Sequence, residues 1–162
     1  MYAQVEFLCA NEKGVINVLT LLNELKGKVV FTYVRIMGDN HINVANNDIV
    51  VGQEGFLALM EAFAKGHFNF TYEFRFYNFK PETTPLLAFV DSLMNNQTLQ
   101  TIGFARNRLN EDMCAAILQR LYFNQSLKAL DFNGNPITIS MFRDEIVKKY
   151  FNTRKEFTII YD

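Results

Sequence analysis

The second half of the chain contains the same residue pattern twice, 28 positions apart. The tetrapeptide Asn96–Leu99 (N-Q-T-L) returns as Asn124–Leu127 (N-Q-S-L). Each copy reads L-x-x-L-x-L-x-x-N-x-L when Ile and Phe are counted with Leu. The matching positions are Leu99, Ile102, Phe104, Asn107 and Leu109, then Leu127, Leu130, Phe132, Asn135 and Ile137. A fixed period of about 20–50 residues indicates stacked supersecondary units, so the repeat limits the fold more than any other feature does.

This pattern resembles the leucine-rich repeat, and its length of 28 residues resembles the ribonuclease-inhibitor subtype. The resemblance implies one strand and one α-helix in each repeat. The chain would then be a short α/β horseshoe, with a parallel sheet on the concave face and helices on the convex face. The resemblance also implies that Asn107 and Asn135 bind the backbone of the turn after each strand. Such bonds would pair polar groups that the turn otherwise buries.

Weaker copies of the pattern extend towards the N-terminus. The second motif positions are separated by 29, 40, 28 and 28 residues, and they are Val5, Val34, Phe74, Ile102 and Leu130. The one long interval predicts an insertion of 12 residues, placed in the polar, Asn-rich segment Gly38–Ile49. Asp39 and Phe79 replace the motif asparagine in the earlier copies. We therefore predict one domain over residues 1–162, with five to six strand–helix units and an insertion near 38–49.

Between the strands, apolar residues recur at helical spacing. The predicted helices are Gly14–Leu25, Gln53–Lys65, one beginning at Thr84-Pro85, one following Asn110 and one beginning at Ser140, with a closing strand at Phe157–Tyr161. Asn96, Asn124 and Asn152 recur just past the predicted helices. Because Asn tolerates the left-handed backbone conformation that ends a helix, we expect these residues to be C-terminal caps.

Composition excludes several classes of partner. The net charge of −1 argues against a nucleic-acid surface, which needs a concentrated basic field. No apolar run reaches the ~18 residues of a membrane span, and the N-terminus lacks the pattern of a secretory signal peptide. Two cysteines far apart in the sequence suit a reducing, cytoplasmic compartment. Cys114 is expected to be a small buried residue, whereas Cys9 at the end of the first strand could be exposed.

No motif for catalysis or for a cofactor is present. The chain lacks a phosphate-binding loop, a Cys-x-x-Cys or His-Glu-x-x-His pair and a nucleophile elbow. His41 and His67 have no acid or cysteine at metal-ligand spacing, so we interpret both as loop histidines. The acidic pairs Glu111-Asp112 and Asp144-Glu145 lie on predicted helices, where a solvated face explains them. We predict that the protein is not an enzyme and holds no metal or cofactor.

Strand residues between the motif positions should face away from the helices, because side chains alternate along a strand. Large side chains on two neighbouring strands define the strand-face patch, which consists of Tyr33, Arg35, Met37, Glu73, Arg75 and Tyr77. Next to it, small residues predict a flat floor open to a partner: Thr101, Gly103, Ala105 and Ala129. Arg35 and Arg75 could clamp an anion. The alternative is that Glu6 and Glu73 neutralise these arginines across the strands.

Tyr, Arg and Met are enriched at protein interfaces. The sequence therefore favours a non-catalytic module that binds another protein through the strand-face patch. One alternative is a regulator of a small GTPase or another enzyme, by similarity to Ran GTPase-activating protein. A second is weak self-assembly through the N-terminal edge strand Tyr2–Leu8. Short stacks of this kind occur among standalone adaptors and among bacterial effectors, so delivery into a host cell is a further alternative.

Overall fold

The computed structural model describes residues 1–39, 49–138, 148–149 and 156–161. The strands within these ranges are β1 (Tyr2–Cys9), β2 (Val30–Gly38), β3 (Val50–Val51), β4 (Glu73–Tyr77), β5 (Lys80–Pro81), β6 (Thr101–Gly103), β7 (Ala129–Asp131) and β8 (Thr158–Ile160). The helices are α1 (Glu12–Glu24), α2 (Gln53–Ala64), α3 (Thr83–Ser92) and α4 (Glu111–Leu121). Six strands form one parallel sheet in the order β1-β2-β4-β6-β7-β8, which confirms the α/β class.

The core lies between this sheet and the helices. The second motif positions of four neighbouring strands are fully buried, at 0% exposure: Val34, Phe74, Ile102 and Leu130. They join one apolar cluster with helix residues such as Leu19, Phe56, Phe89 and Ile117. Phenylalanine fills much of the centre, where the rings of Phe56 and Phe89 lie 5.9 Å apart. One face of the sheet is thus sealed by apolar side chains, and functional side chains must lie elsewhere.

Strand pairing follows the motif spacing. Val5 pairs with Val34, Val34 with Phe74, Phe74 with Ile102 and Ile102 with Leu130. The long interval falls between β2 and α2, because Gln53 lies 19 residues after Val34. In the next two repeats the helix begins nine residues after the second motif position. Residues 40–48, which make up most of the predicted insertion segment Gly38–Ile49, are outside the described ranges.

The side chains of Asn107 and Asn135 bind the backbone of two neighbouring repeats. Asn135 Oδ1 accepts from the N–H groups of Asn107 (2.9 Å) and Leu109 (3.0 Å), while its Nδ2 donates to the carbonyls of Phe104 (2.9 Å) and Phe132 (2.8 Å). Both asparagines are at least 96% buried, so each bond pairs a backbone group that water cannot reach.

One repeat earlier, Asn107 bonds both sides of the turn after β4. Its Oδ1 accepts from the N–H of Phe79 and its Nδ2 donates to the carbonyl of Phe76, each at 2.8 Å. Phe79 occupies the motif-asparagine position and is buried, with its ring stacked on that of Phe76 at 4.2 Å. At this repeat an apolar ring contact takes the place of the asparagine. The series of side-chain amide bonds ends here, because Phe79 has no side-chain amide to continue it.

The prediction that Asn96 and Asn124 end helices is wrong. Neither has a positive φ, and both lie beyond the C-caps Leu93 and Tyr122. Instead, each side-chain oxygen accepts from two backbone N–H groups in the turn before the next strand, as at Asn124 with Ser126 and Leu127. The Asn124 amide also donates to the carbonyls of Leu93 and Asn96 at 2.9 Å each. This is a second contact between neighbouring repeats. Asn152 is outside the described residues.

Two predicted helix starts are shifted. Helix α1 begins at Glu12 because the Asn11 side chain accepts from the N–H of Gly14 at 2.9 Å. Helix α3 begins at Thr83 after Glu82, and no side chain caps it, so Thr84 is not its N-cap. Pro85 still fits, since first-turn N–H groups have no partner within a helix. Asn110 caps α4 as predicted, while the predicted helix from Ser140 lies mostly outside the described residues.

Glu12 on α1 also caps the next helix. Its Oε1 accepts from the N–H groups of Gly52 and Gly55, both at 2.8 Å, at the N-terminus of α2. A carboxylate is favourable there because the N-terminus of a helix carries partial positive charge. A Cβ at Gly55 would lie 2.6 Å from Val51 and 3.0 Å from this carboxylate, so the close approach requires glycine. Val51 belongs to the two-stranded β3–β5 sheet, which the sequence did not predict.

We predict that Glu12→Ala lowers the free energy of unfolding by about 1–2 kcal/mol, since two N–H groups of α2 lose their acceptor. Urea denaturation of the purified protein measures this change. Glu24→Ala is the matched control, because Glu24 is exposed on the same helix and should change stability by less than about 0.5 kcal/mol. Equal losses in the two variants would contradict the capping role.

Candidate functional site

The sheet register brings the six residues of the strand-face patch together. On β2 and β4, Tyr33 pairs with Glu73, Arg35 with Arg75 and Met37 with Tyr77. All six are half-buried, whereas the alternate residues of the same strands belong to the core. The patch therefore has a fixed backbone and partly covered side chains, and the contacts among those side chains decide what it can bind.

Arg35 is held by two aromatic rings and one carboxylate. Its guanidinium carbon lies 5.5 Å from the ring centre of Tyr33 and 5.7 Å from that of Tyr77, within the range of cation–π attraction. Its Nη1 donates to Glu6 Oε1 at 3.0 Å, and the Tyr33 hydroxyl donates to the same oxygen at 3.4 Å. Burial raises the pKa of Tyr33, so this hydroxyl stays protonated and remains a donor. The Nε of Arg35 has no partner among the described residues.

Arg75 instead forms an internal ion-pair network. Its Nε donates to Glu73 and its Nη1 to Asp131, two strands away. Burial lowers the pKa of Arg75, but the hydrogen bond and charge of Glu73 and the charge of Asp131 outweigh it, so the net shift is upward. The side chain crosses β6 at Gly103, where a Cβ would lie 3.0 Å from Arg75 Cγ. Asp131 is only 3% exposed and also accepts from the N–H of Asn133 at 3.0 Å.

The floor of small residues is only partly open. Arg75 lies across Gly103, and both Gly103 and Ala105 are buried, whereas Thr101 and Ala129 are half-buried. The two arginines do not share an anion, because Arg75 faces Glu73 and Asp131 while Arg35 faces Glu6. The alternative of neutralisation by glutamates describes the contacts better, although Glu73 pairs along its own strand. The sequence did not predict that Asp131 pairs with Arg75, because β7 and β4 are not neighbouring strands in the sheet.

The described residues offer little reactive chemistry. Both cysteines are buried, so the expectation that Cys9 could be exposed is wrong. Burial raises the pKa of Cys9 to about 11, and burial together with Glu111 raises that of Cys114 to about 12, so neither is a thiolate at neutral pH. In the described ranges no three His, Cys, Asp or Glu side chains come close enough to hold a metal ion. None of the four described helices is long and apolar enough to cross a membrane.

No protein-family model matches this chain, and no curated protein matches it. The functional argument therefore depends on the residues and contacts described above. Among these, the strand-face patch combines interface-type side chains with a fixed backbone.

We predict that Asp131→Asn lowers the free energy of unfolding by about 2 kcal/mol. Removing one member of a buried ion pair usually costs about 3–5 kcal/mol, and Glu73 keeps part of the compensation for Arg75. Urea denaturation is the measurement. Glu6→Gln is the matched control, because the Glu6 side chain is 50% exposed and its ion pair should contribute at most about 1 kcal/mol. A control loss as large as that of Asp131→Asn would contradict the network.

Proposed function

We propose that this protein is a leucine-rich-repeat module of the ribonuclease-inhibitor-like type that binds another protein through the strand-face patch. The observation that carries the proposal is the alignment of Tyr33, Arg35 and Met37 with Glu73, Arg75 and Tyr77 on two adjacent strands. The asparagine bonds at 28-residue spacing support the repeat assignment. In this proposal the sheet lines the concave face of a short horseshoe, and the helices line its convex face.

The contacts divide the patch into two parts. Arg75 and Glu73 are committed to the network with Asp131, so we assign them to shaping the surface. Tyr33, Arg35, Met37 and Tyr77 remain to touch a partner. Arg35 is already positioned by two rings and Glu6, and a side chain that is ordered before binding loses less entropy on complex formation. Tyr and Arg in such a setting are the usual hot-spot residues of an interface.

Self-association is a second candidate, favoured by the state of β1. Among the described strands β1 pairs with β2 alone, and its side chains Tyr2 and Leu8 are 79% and 66% exposed. An exposed strand edge without Lys or Pro can pair with another chain. Sedimentation at rising protein concentration tests this candidate. We expect a dimer that Leu8→Lys weakens, and a monomer at every concentration would remove the candidate.

The main proposal is tested by capture from cell lysate with a Tyr33/Arg35/Met37/Tyr77→Ala variant. We expect the variant to lose a partner that the wild-type protein retains, because the contact residues of the patch are gone. Arg75 stays in place so that Asp131 keeps its ion pair. The control is Leu21→Ala/Leu57→Ala, which truncates two exposed helix residues and should keep the partner.

Capture is compared only between variants that show one cooperative thermal transition. Photo-crosslinking from position 37 then locates the contact directly, with position 57 as the helix-side reference. A partner that both variants hold equally, or that crosslinks only from position 57, would contradict binding at the strand-face patch.

A further inference from the structure

The outer edge of β1 has a regular set of outward-facing backbone groups. The strand runs for eight residues, and in the described ranges no strand pairs with its outer side. At its two ends, the carbonyls of Met1 and Cys9 accept from the N–H groups of Val30 (2.8 Å) and Asp39 (3.0 Å), on the side of β2. Because backbone groups alternate in direction along a strand, odd-numbered residues bond to β2. Even-numbered residues therefore direct their N–H and C=O groups outward.

The even-numbered residues of β1 also have the exposed side chains. They are Tyr2, Gln4, Glu6 and Leu8, on the same face of the sheet as the strand-face patch. The residues between them are partly buried against the core: Ala3, Val5 and Phe7. The exposed series reads apolar, polar, polar, apolar, so it is the same in both directions about Val5. A two-fold dimer requires such symmetry, since each contact between two positions must occur twice.

An antiparallel pair of β1 strands centred on Val5 uses this whole edge. In this register Tyr2 lies opposite Leu8 of the second copy, and Gln4 lies opposite Glu6 of the second copy. All four even-numbered residues then form hydrogen-bonded pairs. The apolar side chains of Tyr2 and Leu8, which are 79% and 66% exposed, cover each other. The Gln4 amide donates to the Glu6 carboxylate, so polar groups also meet polar groups.

Other pairings of β1 satisfy fewer of these groups. A shift of the register in one direction places Glu6 opposite Glu6 of the second copy, and like charges directly opposite each other are destabilising. A shift in the other direction places Tyr2 opposite Glu6 and leaves Leu8 without a counterpart. Pairing of β1 with β8 of another copy would use a strand of only three residues. Such a head-to-tail contact forms rings or filaments and not a two-fold dimer.

We propose that β1 pairs antiparallel with β1 of a second copy of this chain, in the register centred on Val5, to form a two-fold dimer with one continuous sheet. The inference rests on the self-association proposed above for β1 and adds its geometry. The two-fold axis is perpendicular to the sheet, so both strand-face patches lie on the same side of it. Three strand spacings, about 14 Å, separate β2 of one copy from β2 of the other. The dimer therefore presents a doubled binding surface.

Complementary charges at positions 2 and 8 test the register. Tyr2→Glu and Leu8→Lys each place a charge against an apolar side chain, and each change occurs twice in the dimer. Either variant alone should therefore weaken the dimer about tenfold in sedimentation at rising concentration. Mixed in equal amounts, the two variants should form a dimer again. The introduced charges then face each other, while Leu8 of one copy still meets Tyr2 of the other. Tyr2→Lys mixed with Leu8→Lys is the matched control, and its like charges should prevent this recovery.

A disulfide at position 5 tests where the axis lies. Val5→Cys places two thiols across the axis in a non-hydrogen-bonded pair, with Cα atoms about 4.5 Å apart and within disulfide reach. We expect a covalent dimer under mild oxidation. Ala3→Cys is the control, because its two thiols would lie about 14 Å apart. The wild-type protein should not crosslink, since Cys9 and Cys114 are buried.

The outcomes separate this inference from the proposals on which it rests. A wild-type monomer at every concentration would overturn the dimer together with self-association. A wild-type dimer would overturn only this register if the mixed variants match their like-charge control, if position 5 fails to crosslink, or if position 3 crosslinks equally. The Tyr33/Arg35/Met37/Tyr77→Ala variant keeps β1 and should still dimerise, so its loss of partner capture tests the strand-face patch separately.

Discussion

The architecture depends on buried side-chain amides that join the backbone of one repeat to that of the next. Parallel strands of only three residues, such as β6 and β7, supply few ladder bonds of their own. Asn107 and Asn135 bind the turns after the strands, while Asn96 and Asn124 bind the turns before them. Each short strand is thus fixed at both ends. A buried donor or acceptor left unpaired costs about 1–3 kcal/mol, so these asparagines strongly disfavour any other register.

The fixed register determines what the opposite face of the sheet can be. Because β4, β6 and β7 align residue for residue, Arg75, Gly103 and Asp131 fall on one line. Glycine in the middle leaves room for the arginine to cross and reach the aspartate. In this network the charged groups of Arg75 and Asp131 pair with each other while they are partly buried. Arg35, which lies between two tyrosine rings, is therefore the more available cation of the patch.

Much of this arrangement could be predicted from the sequence, because it follows from periodicity. The motif spacing gives the strand pairs from Val5 to Leu130, and alternation gives the outward residues. Contacts that depend on side-chain length could not be predicted in this way. Arg75 reaches past its neighbouring strand to Asp131, and Glu12 caps a helix that begins 40 residues later. Asn124 does not end a helix but binds the backbone after it in the chain and the backbone of the preceding repeat. The short β3–β5 pair was missed because two residues carry no periodicity.

Hydrogen exchange at the amides bound by the motif asparagines tests this account most directly. The N–H groups of Phe79, Asn107 and Leu109 donate to asparagine side chains, outside any helix or strand ladder. If these side chains hold the repeats together, the three amides should exchange only when the whole protein unfolds. Their exchange should then be as slow as that of the core strands. Exchange of these amides at the rate of an unstructured peptide would contradict the account, because the turns would then open without disturbing the sheet.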